Sequence, residues 1–472
     1  MEQGLFIKSD SGNNYFYDDR TGFINPIEGK WNREVYEKKY KDIIKSSSNI
    51  NLIEPSKENI KKYLFDEAQG FRQLILEVTS GCNLRCKYCI YSEHYPTYKG
   101  YEDKFMDFET SKKAIDLYMQ NYRKIKYINP TRKANIGFYG GEPLLNFELI
   151  KKIVSYCKET YEENILYNIT SNGLLFTEEI QKFLVENDFS IIISLDGNKE
   201  NHDRNRVKID GTGSFDKVME NINLFKKTYP NYDKLAISTC YDFKTDLFEL
   251  QKFFDDEKLF IAKLALIEST NTNYYNQFTK EDVEKYLHNN EKFEEKFSDI
   301  CRDGIIDKKS FLYSYIGLNY SQFAFHSIYN ETRPAILPYT GTCVPGEKIY
   351  VTIDGKIHIC EKINSNYSIG NVNMGLDYNK IIKIINNYNE VTKNRCKNCN
   401  VKRFCNICFS QCSTEGEYFK KDFKECKRIE ENVRDTMTKY ISLLEKNPHL
   451  FEDITVEYFG EIYKKVGDSI EL

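Results

Sequence analysis

The chain of 472 residues carries 67 Lys and Arg against 71 Asp and Glu, a formal net charge of -4, with 40% hydrophobic and 29% charged residues. That balance fits a core-forming globular protein of about three domains at roughly 150 residues each, and it excludes wholesale disorder. It lacks the basic excess of a protein that grips many phosphates, so no nucleic-acid partner is expected. No apolar run approaches the ~18 residues of a membrane span, and none follows the non-basic opening Met1-Glu2-Gln3-Gly4; a cytoplasmic location without a membrane partner is expected.

Residues 1–70 stand apart as a small α+β region. Asn14-Tyr15-Phe16-Tyr17 and Phe23-Ile24-Asn25-Pro26 flank Asp18-Asp19-Arg20-Thr21-Gly22, which predicts a β-hairpin with a glycine-containing turn. A charged helical stretch follows, and Ser46-Ser47-Ser48-Asn49 is the expected linker. From residue 71 short apolar runs alternate with helical patterns. The runs are Leu74–Thr79, Ile136–Tyr139, Ile165–Ile169, Ile191–Leu195, Leu235–Thr239 and Lys263–Ile267, which suit parallel strands buried on both faces. Asn146 is the expected cap of a helix with Phe147, Ile150, Val154 and Cys157 on one face. Ser214 is the expected cap of another with Phe215, Val218, Ile222 and Phe225 in register, and Thr177 precedes acidic Glu178 and Glu179 at the start of a third.

Six βα units predict an α/β fold: a partial (β/α)6 barrel of the TIM type over residues 71–270, with its chemistry at the C-terminal ends of the strands. A helical linker over 271–342, a cysteine-rich domain over 343–430 and a helical tail over 431–472, with a helix from about Glu430 to Leu444, complete the expected order.

Fourteen cysteines without an export signal point to metal binding or catalysis rather than disulfides. Cys82, Cys86 and Cys89 lie directly after the first strand of the barrel, spaced C-x-x-x-C-x-x-C. Three thiolates on one loop can hold three irons of a cubane and leave the fourth open; the alternative is a zinc site completed by a ligand from elsewhere. Cys343, Cys360, Cys396, Cys399, Cys405, Cys408, Cys412 and Cys426 form a late cluster. Eight cysteines suffice for two four-Cys cubanes, and the alternative is a zinc ribbon or knuckle. Of the remaining three, Cys157 lies on an apolar helical face as a buried thiol, Cys301 has no partner in sequence, and Cys240 closes the fifth barrel strand, where a barrel lines its active site.

The loop Gly81-Cys82-Asn83-Leu84-Arg85-Cys86-Lys87-Tyr88-Cys89 resembles the signature of radical S-adenosylmethionine (radical SAM) enzymes, including the aromatic Tyr88 before the third cysteine. Gly140-Gly141-Glu142-Pro143 is similar to the family's glycine-rich SAM motif, although alone it also reads as a strand-to-helix turn. Thr170-Ser171-Asn172-Gly173, Ser194-Leu195-Asp196-Gly197, His202-Asp203 with Arg206, and Gly211–Phe215 resemble further stretches of the family members that carry a SPASM extension. The resemblance covers about residues 71–270 and 343–426.

It implies SAM and three [4Fe–4S] clusters as cofactors, with Tyr88, Gly140, Gly141, Glu142, Ser171, Asn172, Ser194 and Arg206 at the SAM site. Glycines there let the backbone approach the methionyl amino group and Glu142 accepts from it; Asn172 and Ser194 are candidates for ribose or carboxylate contacts, and Arg206 for the carboxylate. His202 and Asp203 could equally be a structural hydrogen-bonded pair. By the same resemblance Cys396, Cys399, Cys405 and Cys426 would hold an outer auxiliary cluster, and Cys343, Cys360 and one or both of Cys408 and Cys412 an inner one. Phe409 stands where the usual pattern has a cysteine, so the roles of its neighbours are open.

The activity implied is hydrogen-atom abstraction by a 5′-deoxyadenosyl radical from a ribosomally made precursor peptide, with a Cys thioether crosslink as the expected product. A sulfatase-maturing, formylglycine-generating activity and carbon–carbon crosslinking are the alternatives. A flavodoxin or ferredoxin is the implied electron donor. Residues 1–70 resemble the peptide-recognition module that precedes many such maturases; the alternative is a cap on the bottom of the barrel.

Overall fold

The computed structural model describes residues 3–48, 52–95, 100–269, 272–303, 306–328, 334–363, 366–414, 416 and 418–466. A small antiparallel sheet opens the chain, with β1 (Gly4–Lys8), β2 (Asn14–Asp18) and β3 (Phe23–Pro26) in that spatial order. The expected hairpin is β2–β3, and β1 is a strand that its single alternation of burial did not announce. The polar run expected as a linker is instead the end of a helix, Lys41–Ser48, as far as it is described; Asn49 lies outside the described residues. Serine is a middling helix former, so a run of it does not by itself end a helix.

The main sheet carries six parallel strands in chain order: β4 (Gln73–Thr79), β5 (Ala134–Gly140), β6 (Ile165–Ser171), β7 (Ser190–Ser194), β8 (Leu235–Tyr241) and β9 (Ile261–Leu266). A helix covers each crossover, the last being Leu247–Glu257. The α/β expectation is met, and the six strands fall within two or three residues of the apolar runs, because strands buried on both faces must be apolar throughout. The late region then adds to the same sheet. β10 (Lys348–Val351) pairs in parallel with β4, Lys348 opposite Gln73, and β11 (Lys356–His358), β12 (Gly370–Asn371) and β13 (Gly375–Leu376) continue it antiparallel. Every strand from β4 to β10 contributes at least one residue, from Gln73 round to Lys348, to the lining of a common interior cavity, so the sheet is curled into a partial barrel.

The helices bury the predicted faces. Ile150, Val154 and Cys157 on Phe147–Thr160, and Val218, Ile222 and Phe225 on Phe215–Thr228, are all buried against the sheet; each such aliphatic or aromatic side chain contributes up to about 1.5–3 kcal/mol.

The caps differ from expectation. Asn146 does not cap: its amide donates to the Val78 and Met106 carbonyls, and Glu142 caps the preceding turn Pro143–Asn146 by accepting from the Leu144 N–H. Asp203, not Ser214, accepts from the Ser214 and Phe215 N–H groups at the head of the next helix. Thr177 makes no side-chain cap bond. For Asn146 and Ser214 a tertiary partner outcompetes the local bond.

Helices Lys280–Asp303 and Phe311–Ile328 fill the expected linker. The tail helix runs Phe423–Lys446, longer than expected, and a second helix, Leu450–Val466, follows. Among the described residues no helix is long and apolar enough to cross a membrane. The first sheet does not cap the barrel. It docks on the late region: Arg403 donates through its backbone N–H to Asp19 Oδ1 and through its guanidinium to the Asp19 and Arg20 carbonyls, and Arg434 donates to the Phe6 carbonyl. The segment after it, with Ile60 and Leu64 fully buried, does pack beneath the barrel, where the Phe71 N–H meets the Gly346 carbonyl.

Candidate active site at the C-terminal ends of the strands

β4 ends at Thr79, and the loop that leaves it carries Cys82, Cys86 and Cys89. Two glycines at the end of β5 make room for it. A Cβ on Gly140, whose φ is +139°, would stand 2.1 Å from the Thr79 carbonyl oxygen, and one on Gly141 would stand 2.1 Å from that of Gly81. The N–H groups of Gly141 and Glu142 donate to those same carbonyls, both at 2.9 Å. The glycines are thus required by the protein's own backbone, before any ligand is considered.

Glu142 is fully buried and fastens β5 to β6. Its Oε1 accepts from the Leu144 N–H and the Ser171 hydroxyl, and its Oε2 from the Asn172 N–H at 2.7 Å. Burial pushes its carboxyl up to about 7, against the pull of those donors. Three of the four lone-pair positions of a carboxylate are occupied, leaving one to face an ammonium. Asn172 extends the strap: its amide donates to Asn83 Oδ1 at 2.7 Å and lies 3.8 Å from the Cys82 sulfur.

A second strap comes from β7. Asp196 Oδ2 accepts from Arg206 Nε at 3.0 Å and from the Tyr88 hydroxyl, while its Oδ1 accepts from the Cys240 N–H. Arg206 lies over the Tyr88 ring, 5.3 Å from its centroid, and 3.9 Å from the Cys86 sulfur. Both partners of this ion pair are buried, with side-chain exposures of 9% and 2%. His202 and Asp203 do not pair with each other. His202 Nδ1 accepts from the Asp196 N–H, which leaves Nε2 to donate to the Ser214 hydroxyl, and that hydroxyl donates to the Arg206 carbonyl. Burial pulls His202 down to about 4. It is the brace behind Arg206 and Asp196.

The sequence therefore named nearly every member of one connected web: Tyr88, Gly140, Gly141, Glu142, Ser171, Asn172 and Arg206 all hold the cysteine loop to the strand ends. Ser194 ends β7 beside Ser238 of β8. Three members were missed. Asp196 stood inside a quoted motif without a role. Tyr101 bonds the Cys89 thiol and lies under the Arg85 guanidinium, 4.3 Å from its ring centroid. Buried Glu77 accepts from the Tyr91 hydroxyl and the Ile353 N–H, tying the barrel to the late region; its acidic side chain inside an apolar strand was the available signal.

The donor set fits a polynuclear iron–sulfur group. Burial pushes the Cys82 thiol up to about 12 and raises those of Cys86 and Cys89; repulsion from neighbouring thiols adds to the rise at Cys82 and Cys86, while hydrogen bonds from Tyr101 and the Tyr91 N–H oppose it at Cys89. Three thiolates can stand together here only beside strong positive charge, which metal ions supply. Among the described residues no three His, Cys, Asp or Glu side chains converge as one ion would need; a cubane draws each thiolate to a different iron and does not require such convergence.

Four of the late cysteines, Cys396, Cys405, Cys412 and Cys426, gather around a buried ammonium. Lys421 Nζ lies 3.0 Å from the Cys396 sulfur; its burial opposes the charge, but Cys396, Cys405 and Cys426 raise its pKa regardless. Burial pushes Cys412 up to about 12, with Cys408, Cys405 and Cys426 adding to the rise and Lys421 opposing it. Cys408 caps the short helix Phe409–Cys412, with its sulfur 3.1 Å from the Ser410 hydroxyl. Cys343 follows a loop fastened at Gly341 to the Cys405 carbonyl, and Cys360 follows β11. Cys157 and Cys301 are buried, and Cys240 sits at the barrel mouth against Asp196.

Residues 76–243 match the Radical SAM superfamily model. The chain is a radical SAM enzyme. SAM and a [4Fe–4S] cluster are the cofactors of that class. An uncharacterized protein of Methanocaldococcus jannaschii is 44% identical over 129 residues, 27% of this chain and 40% of its own length. The cysteine-type anaerobic sulfatase-maturating enzyme of Clostridium novyi is 27% identical over 354 residues, 71% of this chain and 87% of its own. The radical SAM cyclopropyl synthase of Paramaledivibacter caminithermalis is 25% identical over 242 residues, 49% of each chain. This radical SAM chain thus spans less than half the length of two of these three curated relatives. A structure of anSMEcpe with bound AdoMet shares the fold, with a TM-score of 0.54 and 22% identity over 83% of this chain and 98% of that one.

Proposed function

We propose that this radical SAM enzyme is a peptide maturase. Cys82, Cys86 and Cys89 would hold the cluster that binds SAM, and together they supply hydrogen-atom abstraction from an unactivated carbon. The protein's share is positional. Glu142 and Asn172 fix the loop to β5 and β6, Asp196 and Arg206 fix it to β7, and the remaining lone pair of Glu142 faces an incoming ammonium. Tyr88, Tyr91 and Tyr101 wall the loop from water. The observation that carries this reading is a loop of three thiols, Cys86 buried and Cys82 and Cys89 half-buried, strapped to the strand ends with no fourth Cys or His between Cys82 and Cys89.

The substrate class rests on relatives. The Clostridium novyi enzyme, alignable over most of both chains, matures sulfatases by its name, and anSMEcpe has also been captured with AdoMet and a Kp18Cys peptide. We read the product as a crosslink, most readily a Cys thioether, on a ribosomally made precursor bound through its leader by residues 1–70. Formylglycine formation is supported by the relative just named, and carbon–carbon crosslinking fits the same groups. Lys421 as counter-charge supports auxiliary clusters on Cys396, Cys399, Cys405 and Cys426, and on Cys343, Cys360 and Cys408 or Cys412; a flavodoxin or ferredoxin would reduce them.

Replacing Cys82, Cys86 and Cys89 together with Ala tests the assignment. Cleavage of SAM to 5′-deoxyadenosine under dithionite should vanish, while about eight of roughly twelve irons remain. Continued cleavage, or stoichiometric zinc in place of the late iron, would overturn it. A short Cys-bearing peptide encoded beside this chain would favour the crosslinking maturase, and a sulfatase the alternative.

A further inference from the structure

Positive charge is concentrated around the late cysteines. The chain as a whole has a net charge of -4, yet residues 393–403 and 420–428 carry ten Lys and Arg against two carboxylates, Asp422 and Glu425. Both carboxylates are engaged: Asp422 caps the helix Phe423–Lys446, and Glu425 pairs with Arg428. Six of the ten cations are held by Glu390, Asp19, Glu431, Glu425 or the Cys396 sulfur. The other four, Arg395, Lys397, Lys420 and Lys424, are exposed, and among the described residues none of them meets a carboxylate.

The fold brings the two stretches to one surface. The Arg395 guanidinium lies 4.6 Å from the centroid of the Phe423 ring, which is itself 50% exposed, so the end of the helix Tyr378–Cys396 meets the start of Phe423–Lys446. Lys397 follows Cys396 and Lys424 stands two residues before Cys426. Lys420 precedes Lys421, whose Nζ is 3.0 Å from the Cys396 sulfur. Arg395 and Lys421 both oppose the rise that burial gives the Cys426 thiol, so the charge reaches the sulfurs from both sides. Cys399 and Cys426 are only half-buried, which brings the outer sulfurs to just beneath this surface. Exposed cations without counter-charges repel one another, and the carboxylates of a partner would relieve that repulsion.

Resting on the outer-cluster assignment above, we propose that this surface docks an acidic electron-carrier protein, of the flavodoxin or ferredoxin class, for one-electron exchange with a cluster on Cys396, Cys399, Cys405 and Cys426. The reduced centre of the carrier loses one electron and the cluster gains it; no bond and no proton moves. Phe423 offers the apolar centre of such an interface and the four cations its charged rim. Attraction of this kind speeds encounter more than it tightens the complex, which suits a carrier that must leave again. A carrier also has to bring its centre close to the sulfurs, whereas the reacting part of a peptide substrate has to reach the barrel mouth.

The test measures dissociation constants of the anaerobically reconstituted holoenzyme for a flavodoxin, a plant-type [2Fe–2S] ferredoxin and, as a control of sign, a basic c-type cytochrome. At least one acidic carrier should bind and the cytochrome should not. Raising the salt from about 0.1 M to 1 M, which shortens the screening length from roughly 10 Å to 3 Å, should weaken binding at least tenfold. The quadruple variant Arg395→Gln, Lys397→Gln, Lys420→Gln, Lys424→Gln should lose on the order of thirtyfold in affinity, about 2 kcal/mol. It should keep its iron and its cleavage of SAM under dithionite, a small reductant that needs no docking. A second quadruple variant, Lys152→Gln, Lys182→Gln, Lys217→Gln, Lys227→Gln, removes four exposed cations from the helices over the barrel and should leave affinity within about twofold. Unaltered affinity in the first variant, an equal loss in the second, or binding of neither acidic carrier would overturn the proposal. A capped deca-glutamate peptide that binds as tightly as the carriers would make the surface a general polyanion site and overturn it as well. Affinity reports on docking alone, whereas zinc in place of the late iron would signal failure of the outer-cluster assignment.

Discussion

Replacing Arg206 with Met should destabilise the radical SAM core rather than merely weaken a ligand contact. Arg206 Nε meets Asp196 Oδ2 at 3.0 Å with both side chains nearly solvent-free. At an effective dielectric constant near 20, a pair at that distance attracts by about 5 kcal/mol. Removing the guanidinium strands a buried carboxylate, which costs about 3–5 kcal/mol. The Tyr88 hydroxyl and the Cys240 N–H still donate to Asp196, which places the cost at the lower end, about 3 kcal/mol. For a cooperative unit of 150–250 residues, at about 2–4 °C per kcal/mol, the melting temperature should fall by roughly 6–12 °C.

Differential scanning fluorimetry of the reconstituted protein, with and without SAM, separates the two roles available to this arginine. A strap lowers the melting temperature in both conditions. A SAM ligand leaves the SAM-free value alone and removes only the rise that SAM produces. The double variant Asp196→Asn, Arg206→Met should recover more than half of the loss, because no charge is left buried. A drop of under about 2 °C in the single variant, or a double variant worse than the summed singles, would refute the argument.

Three further outcomes follow from particular atoms. Lys421→Met removes the ammonium 3.0 Å from the Cys396 sulfur; losing a charge-assisted bond of about 1.5–3 kcal/mol should lower the midpoint potential of one late cluster by roughly 60–130 mV in an EPR-monitored titration, and an unchanged potential would discount the contact. His202 is held neutral, down at about 4 against an ordinary 6.5, so its contribution is full above pH 6.5 and is lost as the pH falls towards 4, by at most about 3 kcal/mol. His202→Gln should flatten that part of the denaturation profile, and an unaltered slope would count against it. Gly141→Ala would place a Cβ 2.1 Å from the Gly81 carbonyl and 3.1 Å from Cys82 Cβ; the variant should lose about four irons, keep the others, and stop cleaving SAM.

The barrel was legible because burial on both faces leaves a parallel strand little choice of residue, and Ile191-Ile192-Ile193 needs no partner to announce itself. The residues expected at a SAM site were legible as motifs, but the bonds they make within the protein were not. Glu142 and Asn172, expected as ligand contacts, are also engaged with one another and with Asn83. The caps failed for a related reason. Asn146 and Ser214 are good local acceptors whose side chains have better long-range partners, Val78 and Met106 for one and His202 and Arg206 for the other. Nothing local could show that β10 would close against β4, since Lys348 and Gln73 are brought together only by the fold.

The placement of the first sheet bears on how a leader peptide could be read. Strand addition needs an open edge. The edge of β1 is covered by the helix Phe423–Lys446, with Arg434 on the Phe6 carbonyl and Ser442 on the Asp10 N–H. β2 is central, so among these three strands β3, Phe23 to Pro26, is the remaining candidate, with Pro26 unable to donate. That edge belongs to a body fastened to the late cysteines, since Asp19 anchors Arg403 and Tyr17 packs on Phe404, next to Cys405. A leader bound at β3 would therefore be positioned relative to the late region first and to the barrel mouth through it. Truncation shows whether this holds. Removing residues 1–65 would also strip Ile60 and Leu64 from beneath the barrel, so its failure would be uninformative. Removing residues 1–48 spares them. That shorter variant should keep the radical cluster and SAM cleavage and lose affinity for full-length precursor. Undiminished affinity would leave the first sheet as a brace for Arg403 and nothing more.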